Sequence, residues 1–268
     1  MPTSSLVTVE RSSDVVQIAL NRPDKRNALT RLMLEDLLTV LRSLPAATRL
    51  VVLSAQGPVF CAGMDLQEMA ATAELPDRLD VWTADAKLYR DVLETLFLLP
   101  CPSLCVVQGP VLAGGVGLVL ACDLVLGSES TSFALPEPKR GIVASIVLPL
   151  LRYRIGSGRA GYLLLSGVVA NAGDAVSWGL MHRLVTADRL AEVNAELISS
   201  VKSGAPLAMQ ETKRQLLSGV TDQIRQEWDI AERQSAEARS LPEAQEGMQA
   251  FLEHRAPAWY EHIRTAGL

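Results

Sequence analysis

Short, β-branched apolar runs alternate through the first two thirds of this chain with longer segments whose apolar residues recur at helical spacing, and that alternation leaves few folds open. Val15-Val16-Gln17-Ile18-Ala19-Leu20 lies between Ser12-Ser13-Asp14 and Asn21-Arg22-Pro23-Asp24 and reads as a strand closed by a turn. Leu50-Val51-Val52-Leu53, Leu104-Cys105-Val106-Val107 and Asp123-Leu124-Val125-Leu126 read as further buried strands. Leu29, Met33, Leu37, Leu41 and Leu44 repeat at helical spacing behind Asn27, a residue type that caps helices, and Pro45 stands at the end. Leu88, Val92, Leu96 and Leu99 give one apolar face to a helix over 84–99. Such alternation predicts an α/β layering with crossover connections. From about Asp188 the strand signal stops and 190–201, Pro206–Leu217 and 222–240 read as helices. The expected division is a core over 1–190 and a helical C-terminal region over 191–268. Segment 67–85, acidic and broken by Pro76, is the least regular part of the first half and a candidate to line a site.

Charge narrows the partners. The net charge is −5 and the Lys and Arg residues are scattered, so a basic stripe for nucleic acid is missing and any polyanionic ligand has to meet a local cluster. Residues 1–15 lack the charged and apolar regions of a secretory signal, and runs such as Leu148-Pro149-Leu150-Leu151 are far short of the about 20 residues a membrane helix needs. A cytoplasmic location with no membrane span is expected. Cys61, Cys101, Cys105 and Cys122 sit in apolar surroundings without a CxxC pair, and the chain has three histidines, so these thiols read as small buried hydrophobes and no metal site is expected. His182, His254 and His262 stand in no nucleophile-elbow context, which disfavours Ser-His-Asp hydrolysis.

Two glycine-bearing turns follow strand signals: Phe60-Cys61-Ala62-Gly63-Met64-Asp65-Leu66, and Gly109-Pro110-Val111-Leu112-Ala113-Gly114-Gly115-Val116-Gly117-Leu118. Either alone reads as a packing device. Together with Cys122-Asp123, Phe133-Ala134-Leu135-Pro136-Glu137, the early Asn21-Arg22-Pro23-Asp24-Lys25-Arg26-Asn27-Ala28-Leu29 and Gly161-Tyr162-Leu163-Leu164-Leu165-Ser166-Gly167, their order and spacing resemble the crotonase (enoyl-CoA hydratase/isomerase) superfamily from about Val15 onward. The resemblance implies an α/β, crotonase-like spiral of ββα units with a C-terminal helical trimerisation region, assembled as a homotrimer or a hexamer of paired trimers. It also implies an acyl-CoA substrate, with coenzyme A entering as part of that substrate and no separate cofactor.

By the same resemblance, the main-chain N–H groups of Met64 and Gly114 form an oxyanion hole for the thioester carbonyl. Preset amides stabilise an enolate without reorganising, each donor typically worth about 3 kcal/mol at the transition state. A side chain at Gly114 is expected to crowd the thioester. Glu137 matches the later of two glutamates that hydratases of the superfamily place around one water; Gly117 occupies the earlier position and offers neither acid nor base. Phe133, Leu135 and Ile142 flank Glu137 and are expected to raise its pKa. Lys25 and Arg26 stand where the family meets the nucleotide end, with Lys213 or Arg214 as further candidates, while Ala62, Asp65 and Leu66 match the stretch along the pantetheine. Read from the residues alone, Asp65 is a helix N-cap. Glu68, Glu74 and Asp77 are candidate second acids, and Met69, Trp82 and Tyr89 candidate pocket walls. Phe251 to Tyr260 resembles the family's closing tail.

One carboxylate is enough for a 1,3-proton shift, and the run from Glu137 to Ala144 resembles isomerases that work this way. Gly114-Gly115-Val116-Gly117-Leu118 is similar to branched-chain, methylglutaconyl-type hydratases, which also carry glycine there. Hydratase therefore leads, a Δ3,Δ2-enoyl-CoA isomerase follows, and a non-catalytic acyl-CoA-binding homologue is the reading of another class.

Overall fold

The computed structural model describes residues 5–260. A six-stranded sheet runs in the order β1 (Val7–Ser12), β2 (Val15–Leu20), β3 (Leu50–Ala55), β4 (Ser103–Val107), β6 (Leu124–Ser128), β9 (Arg183–Val185). The first pair is an antiparallel hairpin turned at Ser13, and every later neighbour is parallel. β2, β3 and β4 are buried along most of their length, which explains their continuous apolar sequences. β1 alternates polar with apolar residues and buries only Val7 fully.

A second sheet is built from short strands, β5 (Val111–Leu112), β7 (Ser132–Ala134) and β8 (Val169–Asn171). β4 and β6 are each followed, after a three-residue turn, by one of them. Its ladder is extended by bridges from Leu29 to Met64 and from Cys61 to Val111, so successive ββ turns stack as a spiral. Helices α1 (Arg31–Arg42), α2 (Leu66–Ala71), α3 (Arg78–Phe97), α4 (Gly114–Leu120), α5 (Leu148–Ser166) and α6 (Ala172–Trp178) close the turns, and α7 (Leu190–Ser203), α8 (Pro206–Leu217), α9 (Thr221–Arg239) and α10 (Pro242–Leu252) follow. Leu217, Ile224, Trp228 and Ala231 from α8 and α9 join the same apolar core as the sheets, and the Trp228 indole N–H donates to the Ile146 carbonyl at 2.9 Å.

Two expectations need correction. Asn27 does not cap α1; Thr30 does, accepting from the Met33 N–H at 3.2 Å. The Asn27 side chain is fully buried, donating to the carbonyls of Gln56 and Val59 and accepting from the Arg22 N–H, which ties the first turn to the loop after β3. Segment 67–85 is also more regular than its composition suggests: α2 and the start of α3 occupy most of it, and Trp82 is core, its indole N–H donating to the Thr72 hydroxyl.

Candidate active site

The two glycine turns meet edge to edge. Leu112 N–H donates to the Cys61 carbonyl at 2.8 Å, and a Cβ at Gly63 (φ +87°) would lie 2.6 Å from the Ala113 Cβ and 3.2 Å from the Gly114 nitrogen, so the close approach requires glycine. The first turn is also laced to segment 22–29: Ala62 N–H donates to the Arg26 carbonyl, Leu29 N–H to Gly63 and Asp65 N–H to Leu29. Among the described residues, these bonds pass over the Met64 N–H. Gly114 is the first residue of α4, where an N–H has no carbonyl a turn earlier to bond. Ala113 before it holds φ 50°, ψ −124°, a conformation natural to glycine, and this strained residue sets how α4 starts.

Met64 and Gly114 line one cavity with Ala62, Leu66, Met69, Tyr89, Leu112 and Glu137. Glu137 opens a 3-10 turn over Glu137–Arg140, and the residue is 8% exposed, with Oε2 buried and unpartnered. Burial pushes its pKa up from 4.5 to about 7, against the pull of a local backbone bond and of Arg140. A group poised there can take a proton and return it at neutral pH. The turn is braced by α10 through two backbone approaches: a Cβ on Gly141 would sit 2.3 Å from the Glu243 carbonyl oxygen, and one on Gly247 2.1 Å from that of Arg140. Arg140 also lies 4.1 Å from the centre of the Phe251 ring, so the segment resembling a closing tail begins against this turn.

At Gly117 the structure explains the missing acid. An added Cβ would lie 2.2 Å from the Tyr89 hydroxyl oxygen and 3.0 Å from Leu93 Cδ1. The phenol fills that position, donates to the Gly114 carbonyl, and its pKa is driven well above 10 by burial, with Cys61 and Glu137 adding to the shift. It is therefore a neutral hydrogen-bonding group at working pH. Gly117 lies behind Tyr89 and does not line the cavity. At Gly114 an added Cβ would touch Tyr89 at 3.4 Å, an ordinary contact, whereas one at Gly115 would lie 2.7 Å from the Cys61 Cβ.

Other expected residues separate into wall, rim and scaffold. Ala62, Leu66, Met69 and Tyr89 are wall; Trp82 is not. Asp65 is scaffold, accepting from the N–H groups of Gln67 and Glu68 as the N-cap of α2 and pairing with Arg22 at 2.6 Å. Burial raises its pKa, but Arg22 and the two amides outweigh that and hold it below the usual carboxylate value. Lys25 and Arg26 are exposed on the turn that carries the Ala62 bond, outside the cavity wall. Lys213 is 7% exposed, with its ammonium on Asp123 at 2.7 Å and on the Cys101 carbonyl, and Arg214 pairs with Glu211, so within this chain both are structural. Glu68 accepts from the Arg31 N–H, and neither it nor Glu74 or Asp77 reaches the cavity. The four cysteines are buried and unpaired, and the Cys61 thiol is pushed up to about 12 by burial. His182 Nδ1 accepts from the Val125 N–H, a sheet tie; His254 is exposed, and His262 lies outside the described residues.

Sequence reading missed Arg140, Ser235 and Arg239, all on the cavity wall. A signal for Arg239 was present: Ile224, Trp228, Ala231, Ser235 and Arg239 fall on one buried stripe of α9, so the arginine continues an apolar face.

A spiral of ββα turns in which two glycine turns and a buried carboxylate line one cavity is the arrangement that the resemblance to the crotonase superfamily implies. The chain belongs to the enoyl-CoA hydratase/isomerase family, whose model matches residues 10–262. A Thermus thermophilus protein carrying an enoyl-CoA hydratase name is 34% identical over 258 residues, 94% of this chain and 99% of its own. A mevalonyl-coenzyme A hydratase of Aspergillus fumigatus is 29% identical, with 91% of each chain covered. The crystal structure of an enoyl-CoA hydratase from Mycobacterium avium superposes with a TM-score of 0.85 at 28% identity, covering 96% of this chain and 100% of that one. The protein is an enzyme of this family. Among the described residues no helix is long and apolar enough to cross a membrane.

Proposed function

We propose that the protein is an enoyl-CoA hydratase of the branched-chain, methylglutaconyl-like kind that works with a single glutamate, Glu137. The observation that carries this reading is a carboxylate with a pKa of about 7 sharing one cavity with the free main-chain donors of Met64 and Gly114. Glu137 as carboxylate takes a proton from water, the hydroxyl oxygen bonds to C3 of a 2-enoyl thioester, and the C2–C3 π electrons move onto the thioester oxygen. The Met64 and Gly114 N–H groups stabilise that oxyanion. As the enolate collapses, C2 takes the proton from Glu137, which regenerates the carboxylate and balances the cycle.

One observation favours a second reading, Δ3,Δ2-enoyl-CoA isomerisation. Tyr89 and Leu93 fill the position of a second acid and leave one proton carrier, which suffices to move a proton from C2 to C4. The exposed Lys25 and Arg26 serve the phosphates of coenzyme A in this proposal, Ala62 and Leu66 run along its pantetheine, and Asp65 holds their loop in place. A cytoplasmic homotrimer or hexamer belongs to the same reading, supported by large apolar side chains exposed on the C-terminal helices, Leu207, Leu216 and Ile230.

The test supplies wild type and Glu137→Ala with 2-enoyl- and 3-enoyl-CoA thioesters in deuterated water and follows products by mass. Hydration of 2-enoyl substrates, abolished by the substitution, is the expected result. Conversion of 3-enoyl to 2-enoyl without water addition moves the isomerase first, and binding without turnover in both proteins leaves an acyl-CoA-binding homologue.

A further inference from the structure

Helix α4 begins where its own sequence gives it least reason to. Three of its first four residues, Gly114, Gly115 and Gly117, are glycines, which lose more chain freedom on entering a helix than any other residue. Ala113 before them holds φ 50°, ψ −124°, strain that persists only under support from around it, and among the described residues no side chain caps the helix. The first turn is therefore held from outside. A Cβ built at Gly115 would lie 2.7 Å from the Cys61 Cβ and 3.0 Å from the Cys61 carbonyl oxygen, and one built at Gly117 would lie 3.0 Å from Leu93 Cδ1. Tyr89 spans the turn: its hydroxyl oxygen is 2.2 Å from a Cβ built at Gly117 and 3.4 Å from one built at Gly114, and it donates to the Gly114 carbonyl. Among the described residues, that is the one side-chain hydrogen bond to residues 113–117. The arm that delivers the phenol is firm, because Ala86, Val92, Leu93 and Leu96 beside it on α3 are buried in the main core.

We infer that Tyr89 is a positioning residue of the oxyanion hole: through the Gly114 carbonyl it fixes the first turn of α4 and so the direction of the Gly114 N–H, and residue 117 is glycine to admit the phenol. The inference rests on the reading of the Gly114 N–H as an oxyanion donor and deepens it. One Cα joins that N–H to the anchored carbonyl, and at a glycine the two dihedrals on either side of it are loose. Tyr89 holds the carbonyl while its ring lies against the same Cα, which limits the swing of the N–H. A donor aimed in advance needs no reorganisation as charge develops on the thioester oxygen, and a misaimed one loses most against the charged form, because a charge-assisted bond is the stronger one. Tyr89 therefore acts on the enolate more than on the neutral thioester. The same exchange accounts for the missing acid, since the space for a second glutamate's Cβ is taken by the group that holds the donor.

Two thioesters test this apart from turnover. Acetoacetyl-CoA loses a C2 proton to give a stable enolate, whose near-ultraviolet absorption reports the charged form, and butyryl-CoA, saturated and neutral at its acyl end, reports ground-state binding. The enolate fraction of bound acetoacetyl-CoA is measured by difference absorption at fixed pH, and the Kd of butyryl-CoA by calorimetry, for wild type, Tyr89→Phe and Gly117→Ala. Gly117→Ala sets a Cβ against the phenol oxygen and pushes it off Gly114, so it reaches the same contact from the other side. Wild type is expected to enrich the enolate over its proportion in solution. Either substitution lowers the enolate-to-neutral ratio of the bound ligand by about 10-fold, with butyryl-CoA affinity within about 2-fold of wild type. Loss of folded protein reduces occupancy by both ligands alike and leaves that ratio where it was, so a merely structural role for Tyr89 does not give this result. A wild-type ratio in a variant that still binds butyryl-CoA overturns the inference, as does a loss that takes both ligands equally. No enrichment of the enolate by wild type refutes the oxyanion reading itself, whereas enrichment that both variants keep refutes the role of Tyr89 alone.

Discussion

Replacing the Glu137 carboxylate by an amide separates its electrostatic cost from its chemistry. Folding raises its pKa from 4.5 to about 7, a difference worth ~3 kcal/mol between its protonated and charged forms. Between those two values the folded protein binds more protons than the unfolded chain, so this group's contribution to stability falls as pH rises and is fully unfavourable above about pH 7. The amide introduced by Glu137→Gln does not titrate. Its buried N–H group inherits the unpartnered position of Oε2, which costs about 1–3 kcal/mol at every pH. The stability of Glu137→Gln relative to wild type is therefore expected to improve by ~3 kcal/mol from about pH 4.5 to about pH 8 while its offset stays constant. Urea unfolding of both proteins at half-unit pH steps, followed by tryptophan fluorescence at fixed protein concentration, reads the difference directly. In parallel, wild-type kcat/KM for a reactive enoyl thioester should rise through an apparent pKa of about 7. A stability difference that is flat across this range, together with an activity profile breaking near 4.5, refutes the claim that burial tunes Glu137.

Gly117→Glu, which writes the second glutamate of two-acid hydratases into this site, drives its Cβ into Tyr89 and Leu93; a loss of about 1–3 kcal/mol or more in thermal unfolding is expected, largely restored by adding Tyr89→Ala. Tyr89→Phe removes the bond to the Gly114 carbonyl, so stability drops by about 1 kcal/mol and kcat falls while KM holds; an unchanged kcat removes Tyr89 from the machinery. Lys213→Met removes the ammonium from Asp123, whose side chain is 27% exposed and keeps the Ser103 N–H and hydroxyl as donors, and is expected to cost about 2 kcal/mol, below the about 3–5 of a fully buried pair. Its KM for acyl-CoA should match wild type, and a raised KM in a stable protein would return Lys213 to the nucleotide site.

The sheet strands β2, β3, β4 and β6 were legible because a parallel strand covered on both faces must be apolar throughout, and a run of Val, Leu and Ile states that directly. β5, β7, β8 and β9, two or three residues each, are too short to show any period; their pairing is set by partners elsewhere in the chain. Asn27 misled because a capping residue and a buried amide that ties two loops look alike in front of a helical pattern. At the site, the gathering of Glu137, Met64 and Gly114 on one cavity wall was legible because each stands in a local turn and the order of those turns is distinctive. Arg239 and Lys213 could not, since a charge on a helix reads as solvated until the neighbouring helix is in place. Gly117 was conspicuous as an absence, but only the α3 packing reveals that a phenol occupies its space.

The brace between α10 and the Glu137 turn has a consequence for how the protein comes into being. A ribosome completes every strand of both sheets before it makes Glu243 and Gly247, so a nascent chain already carries Glu137 and both glycine turns while Arg140 and Gly141 still lack the backbone they rest against. A chain shortened just before α10 is therefore expected to keep the sheet strands while the turn that carries Glu137 lacks the backbone of Glu243 and Gly247 beside it.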